Sequence, residues 1–221
     1  VSVSPGERSV RKRRARGSIS ADEILHGAYE LASAESLNSL SMPRLAHRLD
    51  VGVTSIYWYF RSKEELLDVM TERALVEFDQ AINVSVDLAW DEYLATYFTA
   101  YRDVLRDNSL WCDLIVMRSS ALSPEALRVA KQRVDVVVDI LARAGFATDD
   151  ALRAHAVLSV YARGAILHYR HWDSPDSPAA IDAEFPDQID PFSVTADEAF
   201  AFGLQNAIRG LRALLAQSAK C

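Results

Sequence analysis

The chain has 221 residues, half of them hydrophobic, which is enough for a folded core and far from the composition of a disordered chain. Its two cysteines, Cys112 and Cys221, form no CxxC pair and so suggest neither a zinc site nor a disulfide framework. The net charge of −7 would argue against a nucleic-acid partner if it were evenly spread, but residues 1–63 hold 10 Lys and Arg against 6 Asp and Glu, net +4, and the remainder 14 against 25, net −11.

In chain order, residues 1–19 read as a flexible basic arm carrying Arg11, Lys12, Arg13, Arg14 and Arg16. Ser20-Ala21-Asp22-Glu23 is a capping box, and Ile24, Leu25, Ala28, Tyr29, Leu31 and Ala32 follow it at helical spacing. Ser41 can cap a short helix from Pro43 to Leu49, with Pro43 tolerated in the first turn. A tight turn at Asp50, Val51 and Gly52 leads to a second short helix, Val53 to Phe60. Ser62-Lys63-Glu64-Glu65, a second capping box, opens a long amphipathic helix through Leu66, Leu67, Met70, Ala74, Leu75 and Phe78.

Two short helices joined by such a turn make a helix-turn-helix, whose second helix can enter a DNA major groove. Ile56 and Phe60 are spaced i, i+4 and belong inside, which leaves Thr54, Ser55, Trp58 and Tyr59 for the groove and Tyr57 at its margin. Three consecutive aromatics cannot share one helix face. Hydroxyls bond phosphates or base edges, and aromatic rings and threonine methyls pack on thymine methyls. Lys63 follows as a phosphate clamp. The recognition helix is poor in charge, so the arm is expected to supply part of the affinity.

The rest of the chain also reads as helix, which makes the expected fold all-α. Trp90, Leu94, Tyr97, Phe98, Tyr101, Val104 and Leu105 mark one helix, interrupted at Asn108 and Ser109 and followed by a shorter apolar one from Leu110 to about Arg118. Ser123-Pro124-Glu125 starts another, in which Val134, Val136, Val137 and Val138 could pass for a strand but are flanked by helix formers and stopped by Gly145. Thr148 with Asp149 and Asp150 opens a helix to about Trp172. Residues 173–194 hold four prolines and six acidic residues and read as a long loop. Thr195 to Glu198 is a third capping box, heading a final helix with Phe200, Leu204, Ala207, Ile208, Leu211, Leu214 and Leu215 in register.

The succession SMPRLAHRLDVGVTSIYWYF and RSKEELL after a capped helix resembles the DNA-binding head of the tetracycline-repressor (TetR) family of bacterial transcriptional regulators, tightly over residues 20–70. The Tyr57-Trp58 pair and the closing FGLQNAIRGLRALL resemble the branch of the tetracycline repressors themselves. By position, the resemblance implies groove and backbone contacts for Ser55, Tyr57, Trp58 and Tyr59, a phosphate contact for Lys63, and backbone contacts for Ser41 and Arg44. Three positions depart from the family pattern: Asp50 where Gly is common, Gly52 where a Ser often caps, and Val53 where a polar or basic side chain is frequent. Asp tolerates a left-handed backbone, so the turn survives.

The expected organisation is therefore the arm 1–19, a three-helix helix-turn-helix domain over 20–67, and a helical ligand-binding and dimerisation domain over 68–221. The body shows no nucleophile–base arrangement, phosphate loop or metal-ligand spacing, so neither an enzyme, a cofactor nor a metal is expected. Its aromatic residues could be core or line an apolar pocket, as small-molecule sites tend to be, and the resemblance implies such a pocket; Tyr97, Tyr101, Trp111, Met117, Tyr161 and His168 are its first candidates. Helices near 150–172 and 196–217 carry apolar residues on more than one face, with small residues at Gly164-Ala165, Ala207 and Gly210, as a homodimeric four-helix bundle requires. Such a dimer demands a near-palindromic operator on double-stranded DNA. The expected function is a repressor released from its operator by a small molecule; the alternative is a constitutive regulator with no effector. No apolar run suits a membrane span and the start lacks a signal-peptide pattern, so the cytoplasm is the expected compartment.

Overall fold

A computed structural model describes residues 19–118, 122–172 and 194–218. The arm residues Arg11, Lys12, Arg13, Arg14 and Arg16 and nearly all of the acidic loop 173–194 lie outside those residues. Among the described residues the regular elements are helical: α1 (Ala21–Ala34), a 3-10 turn (Leu37–Ser39), α2 (Met42–Arg48), α3 (Val53–Tyr59), α4 (Lys63–Ala81), α5 (Trp90–Asp107), α6 (Ser109–Cys112), a π turn (Asp113–Met117), α7 (Pro124–Arg143), α8 (Thr148–Trp172) and α9 (Ala196–Ser218). The chain divides into two compact units, Val1–Met70 and Thr71–Cys221, with the division inside α4.

In the first unit, Ile24, Ala28, Leu45, Ile56, Leu66 and Met70 are fully buried, one or two from each of α1 to α4. The capping box of α1 forms in both directions, Glu23 N donating to Ser20 Oγ at 3.1 Å and Ser20 N to Glu23 Oε2 at 2.9 Å. The box at Ser62 is only half made. Glu65 N donates to Ser62 Oγ at 3.0 Å, but the Glu65 carboxylate turns back to the Arg61 amide at 2.6 Å instead of to Ser62. Between α2 and α3 the chain reverses at Asp50, whose φ of +54° puts it in the left-handed region. The Val51 amide then closes on Ala46 O at 3.0 Å. Ile19, the last residue of the expected arm, is buried.

In the second unit α5 packs on α8 and α9, α7 on α8, and α8 on α9. Tyr93, Leu94, Tyr97, Phe98, Val137, Leu141, Leu158, Ala162, Ile166, Phe200 and Leu204 form its core. The valine cluster of α7 is helix, ended by a Schellman motif in which Gly145, at φ +105°, bonds Ala142 O and Phe146 bonds Leu141 O. The expected helix from Leu110 to Arg118 is instead one α turn and a π turn, closed by Arg118 N to Asp113 O at 3.0 Å. Asn108 caps this break, its Oδ1 accepting from Trp111 N at 3.0 Å. Two ion-pair groups run α9 antiparallel along α5. Asp91 at the start of α5 meets Arg212 near the end of α9 at 2.9 Å. Buried Arg102 meets Asp197 at 3.1 Å and lies 4.3 Å over the Phe200 ring.

Candidate nucleic-acid interface and body cavity

α3 has one buried face and one open one. Ile56 and the following Phe60 are buried at 0% and 5% exposure, whereas Trp58 is 82% and Tyr57 45% exposed. Two adjacent aromatic rings left open on one helix form an apolar patch of the kind that marks an interaction surface. Thr54 is exposed and Ser55 half-buried beside them. Gly52 caps the helix with no side-chain bond, and of the first-turn amides that of Ser55 closes on Gly52 O at 2.8 Å. Tyr59 is partly withdrawn: its hydroxyl donates to Ile19 O at 2.7 Å, and its ring takes the edge of Trp58 at 5.3 Å between centroids. That bond ties the recognition helix to Ile19, two residues before α1.

The flanking positions are ordered by local bonds. Ser41 caps α2, accepting from Arg44 N at 3.4 Å. Arg44 is exposed, its guanidinium donating to Ser39 O at 3.1 Å and paired with Glu35. Lys63 opens α4 half-buried, immediately after the turn that ends α3.

The second feature is a cavity of about 90 Å³ in the body. Its apolar wall comes from Leu75 and Phe78 of α4, Ile115 of the π turn, and Val129, Ala130 and Val134 of α7. Tyr97 and Tyr101 of α5 close it on one side, and Asp79, Arg133, His155, Ser159 and Arg163 supply its polar groups. Arg133 donates from Nε to the Asp79 carboxylate at 2.6 Å and from Nη2 to Asp79 O at 2.9 Å, with its guanidinium 5.7 Å from the Tyr97 ring centroid. Arg163 Nε donates to Tyr101 Oη at 3.0 Å. His155 lies 3.4 Å from Ser159 Oγ; burial first, and the Arg163 charge second, hold its pKa below the usual histidine value. Burial likewise pushes the Tyr97 hydroxyl well above the ordinary phenol range. Beside the cavity wall, the Tyr93 hydroxyl is buried with no well-formed hydrogen bond.

Of the six residues proposed from sequence for the pocket, the structure brings Tyr97 and Tyr101 to this cavity. Trp111 packs half-buried against the body core, Met117 is 54% exposed on the π turn, and His168 is exposed on α8. Tyr161 is a packing residue: its ring stacks on Phe200 at 5.3 Å and its hydroxyl donates to Ala199 O and Phe200 O, both at 3.0 Å. The polar groups that sequence reasoning passed over carried a legible signal. His155, Ser159 and Arg163 are spaced i, i+4, i+8 on one face of α8, and Arg133 falls midway between Val129 and Val137 on the buried face of α7.

The profile of bacterial regulatory proteins of the tetR family matches residues 24–70, which contain α2, α3 and the turn between them. An HTH-type transcriptional repressor of Mycobacterium tuberculosis is 40% identical over 195 residues, 86% of this chain and 72% of the relative. Tetracycline repressor protein class E of Escherichia coli is 25% identical over 201 residues, 89% of this chain and 92% of its own. Among solved structures, a possible TetR family transcriptional regulator from Streptomyces coelicolor superposes with a TM-score of 0.67 at 25% identity, covering 87% of this chain and 98% of that one. With its helix-turn-helix head, its helical body and a 40% identical relative spanning most of its length, the chain belongs to the tetR family of bacterial regulatory proteins.

Proposed function

We propose that the chain is a DNA-binding transcriptional repressor that acts as a homodimer and leaves a near-palindromic operator when a small molecule occupies the body cavity. The observation that carries this reading is the outward face of α3, where Trp58 and Tyr57 stand in water above a fully buried Ile56. Thr54, Ser55, Tyr57 and Trp58 read the groove, Ser41, Arg44 and Lys63 position the backbone, and Tyr59 steadies the helix while offering its ring. The arm residues Arg11 to Arg16 add phosphate contacts. Relatives named as transcriptional repressors support the direction of the response.

A face of the body supports the dimer. Val157, Val160 and Leu167 of α8 are exposed at 63%, 72% and 40%, and Phe202 of α9 at 70%. Val157, Val160, Gly164 and Leu167 recur at helical spacing along one stripe, and a side chain added at Gly164 or Gly210 would meet open space. A second copy laid along α8 and α9 would bury that stripe. The body half of α4 supports the response, because Leu75, Phe78 and Asp79 line the cavity on a helix that begins at Lys63, just after the recognition helix.

The test is a binding selection from random double-stranded DNA, followed by fluorescence anisotropy on the enriched sequence. A two-fold symmetric site whose affinity falls at least about tenfold in Trp58→Ala supports the reading. Enrichment of no sequence, or a monomer in sedimentation at micromolar concentration, would sink it.

A further inference from the structure

We propose that the body cavity takes a small hydrophobic monocarboxylic acid, whose carboxylate is held by the Arg163 guanidinium and whose apolar part lies among Phe78, Val129 and Val134. This inference rests on the reading of the cavity as the effector site and names the chemical class of the effector.

Charge is the first observation. The cavity is lined by two arginines and a single carboxylate, Asp79. Asp79 is already engaged, its side chain and its carbonyl both bonded to Arg133. Arg163 pairs with no carboxylate among the described residues; its contact is the Tyr101 hydroxyl, taken through Nε. The net charge of the lining is thus one positive unit, and it resides on Arg163. A guanidinium fixed at Nε keeps its two terminal nitrogens as parallel donors, the geometry that a carboxylate accepts in bidentate fashion.

Placement is the second. Arg163 is exposed as well as cavity-lining, so it stands at the rim, while Phe78, Tyr97 and Tyr101 are buried. An acid bound with its apolar end inward keeps part of the hydration of its carboxylate, avoiding the full cost of burying an ion. A cationic ligand would meet Arg163 with no uncommitted carboxylate to answer it. A neutral polar ligand would accept from the guanidinium fork without the second negative oxygen of a carboxylate, a weaker match. His155 with Ser159 one turn away offers a neutral hydrogen-bonding pair beside the same site. Size is the third: about 90 Å³, against roughly 150 Å³ for a cavity that encloses benzene, limits the enclosed part to a short acyl chain or part of one ring, with the carboxylate left at the rim.

Isothermal titration of the full chain with three probes of one shape tests this: 3-phenylpropanoate, 3-phenylpropanamide and 3-phenylpropylammonium at pH 7.5. The acid is expected to bind about tenfold or more tighter than the amide, with the ammonium weakest. Arg163→Gln should bring the acid down to the level of the amide without weakening the amide, and Arg163→Lys should keep part of the preference. Circular dichroism and melting confirm that each variant is folded. An amide or ammonium that binds as well as the acid, or an acid preference that survives Arg163→Gln, overturns the proposed class. Absence of binding by all three probes overturns it too. Filling the cavity with Val134→Trp, or with Ala130→Leu should that variant fail to fold, separates the two levels. Equal binding of acid and amide that disappears in the filled variant leaves an effector cavity of another chemistry. Binding that persists undiminished there removes the cavity as the effector site.

Discussion

Gly203→Ala in α9 sets a local gain against a packing loss, and the structure says which prevails. Alanine is favoured over glycine in a helix interior by about 1 kcal/mol. At Gly203, however, an added Cβ would lie 2.1 Å from Tyr161 Oη, 2.6 Å from Cζ and 3.0 Å from Cε2. The ring is rigid, so no small motion of its tip relieves all three contacts; the side chain must rotate as a body. Rotation breaks the hydroxyl's contacts with Ala199 O and Phe200 O, about 1 kcal/mol net, and the stacking on Phe200, about 0.5–1.5 kcal/mol. Against the helical gain, the net is a loss of roughly 0.5–1.5 kcal/mol, or about 1–6 °C in the melting of a unit of this size. Thermal melting by circular dichroism reads it, and a double-mutant cycle with Tyr161→Phe assigns it. Without the hydroxyl the alanine should cost measurably less, since the nearest obstacle is gone. A Gly203→Ala protein more stable than the parent, or an equal cost in both backgrounds, would refute the assignment of Tyr161 as the wall against which α9 is fitted.

Asp79→Asn should destabilise the body by about 1–2 kcal/mol in urea unfolding, because it strips the charge from the partner of a guanidinium only 20% exposed; the exposure of Asp79 itself keeps the loss below that of a fully buried pair. His155 gives a pH dependence of definite sign. Its folded pKa lies below its ordinary value of 6.5, so the unfolded chain takes up the proton first, and stability falls as pH drops below about 6.5 until the folded-state pKa is passed. His155→Gln should flatten that slope in melts run from pH 8 to 5; an unchanged slope would mean that another group carries it. In the head, Tyr59→Phe should cost about 0.5–1.5 kcal/mol through the lost bond to Ile19 O, whereas Trp58→Ala should leave stability within about 0.5 kcal/mol while weakening DNA binding. Equal stability losses from the two would contradict the division of α3 into a held face and an open one.

Several helix starts were legible because a side chain there must satisfy a free amide. Ser20, Ser41, Ser123 and Thr195 all accept the bond their position requires. The turn at Asp50 was legible for a related reason, since few residues enter the left-handed region without strain. The π turn at Asp113–Met117 was not. The break at Asn108 was read from the sequence, but an apolar run of LIVM has the same composition in an α turn and a π turn, so the change of winding after Cys112 was not. The half-made box at Ser62 shows the same limit at smaller scale: Glu65 had two amides within reach, Ser62 and Arg61, and spacing alone does not choose between them.

The cavity was harder to read than the recognition helix because aromatic residues serve a core and a pocket alike. Tyr161 and Trp111 bury their rings against helices, as Tyr97 and Tyr101 do, and composition ranks all four equally. What distinguishes a cavity is a polar group on a face that packing alone would make apolar. Arg133 between Val129 and Val137, and the row His155, Ser159, Arg163, break the apolar rule in the same small volume. Asp79 connects that volume to α4. Its carboxylate is bonded by Arg133 of α7, so under the proposal above an acidic ligand would meet Arg163 without an opposing charge, beside the cavity wall made by Phe78 and Leu75. In the regulator proposed here, DNA and acid must weaken each other by the same factor, a thermodynamic necessity whatever route connects their sites. A double-mutant comparison of Asp79→Asn and Arg163→Gln in the presence of operator DNA would separate the parts: the first should loosen the coupling while leaving the preference for an acid, and the second should remove the preference.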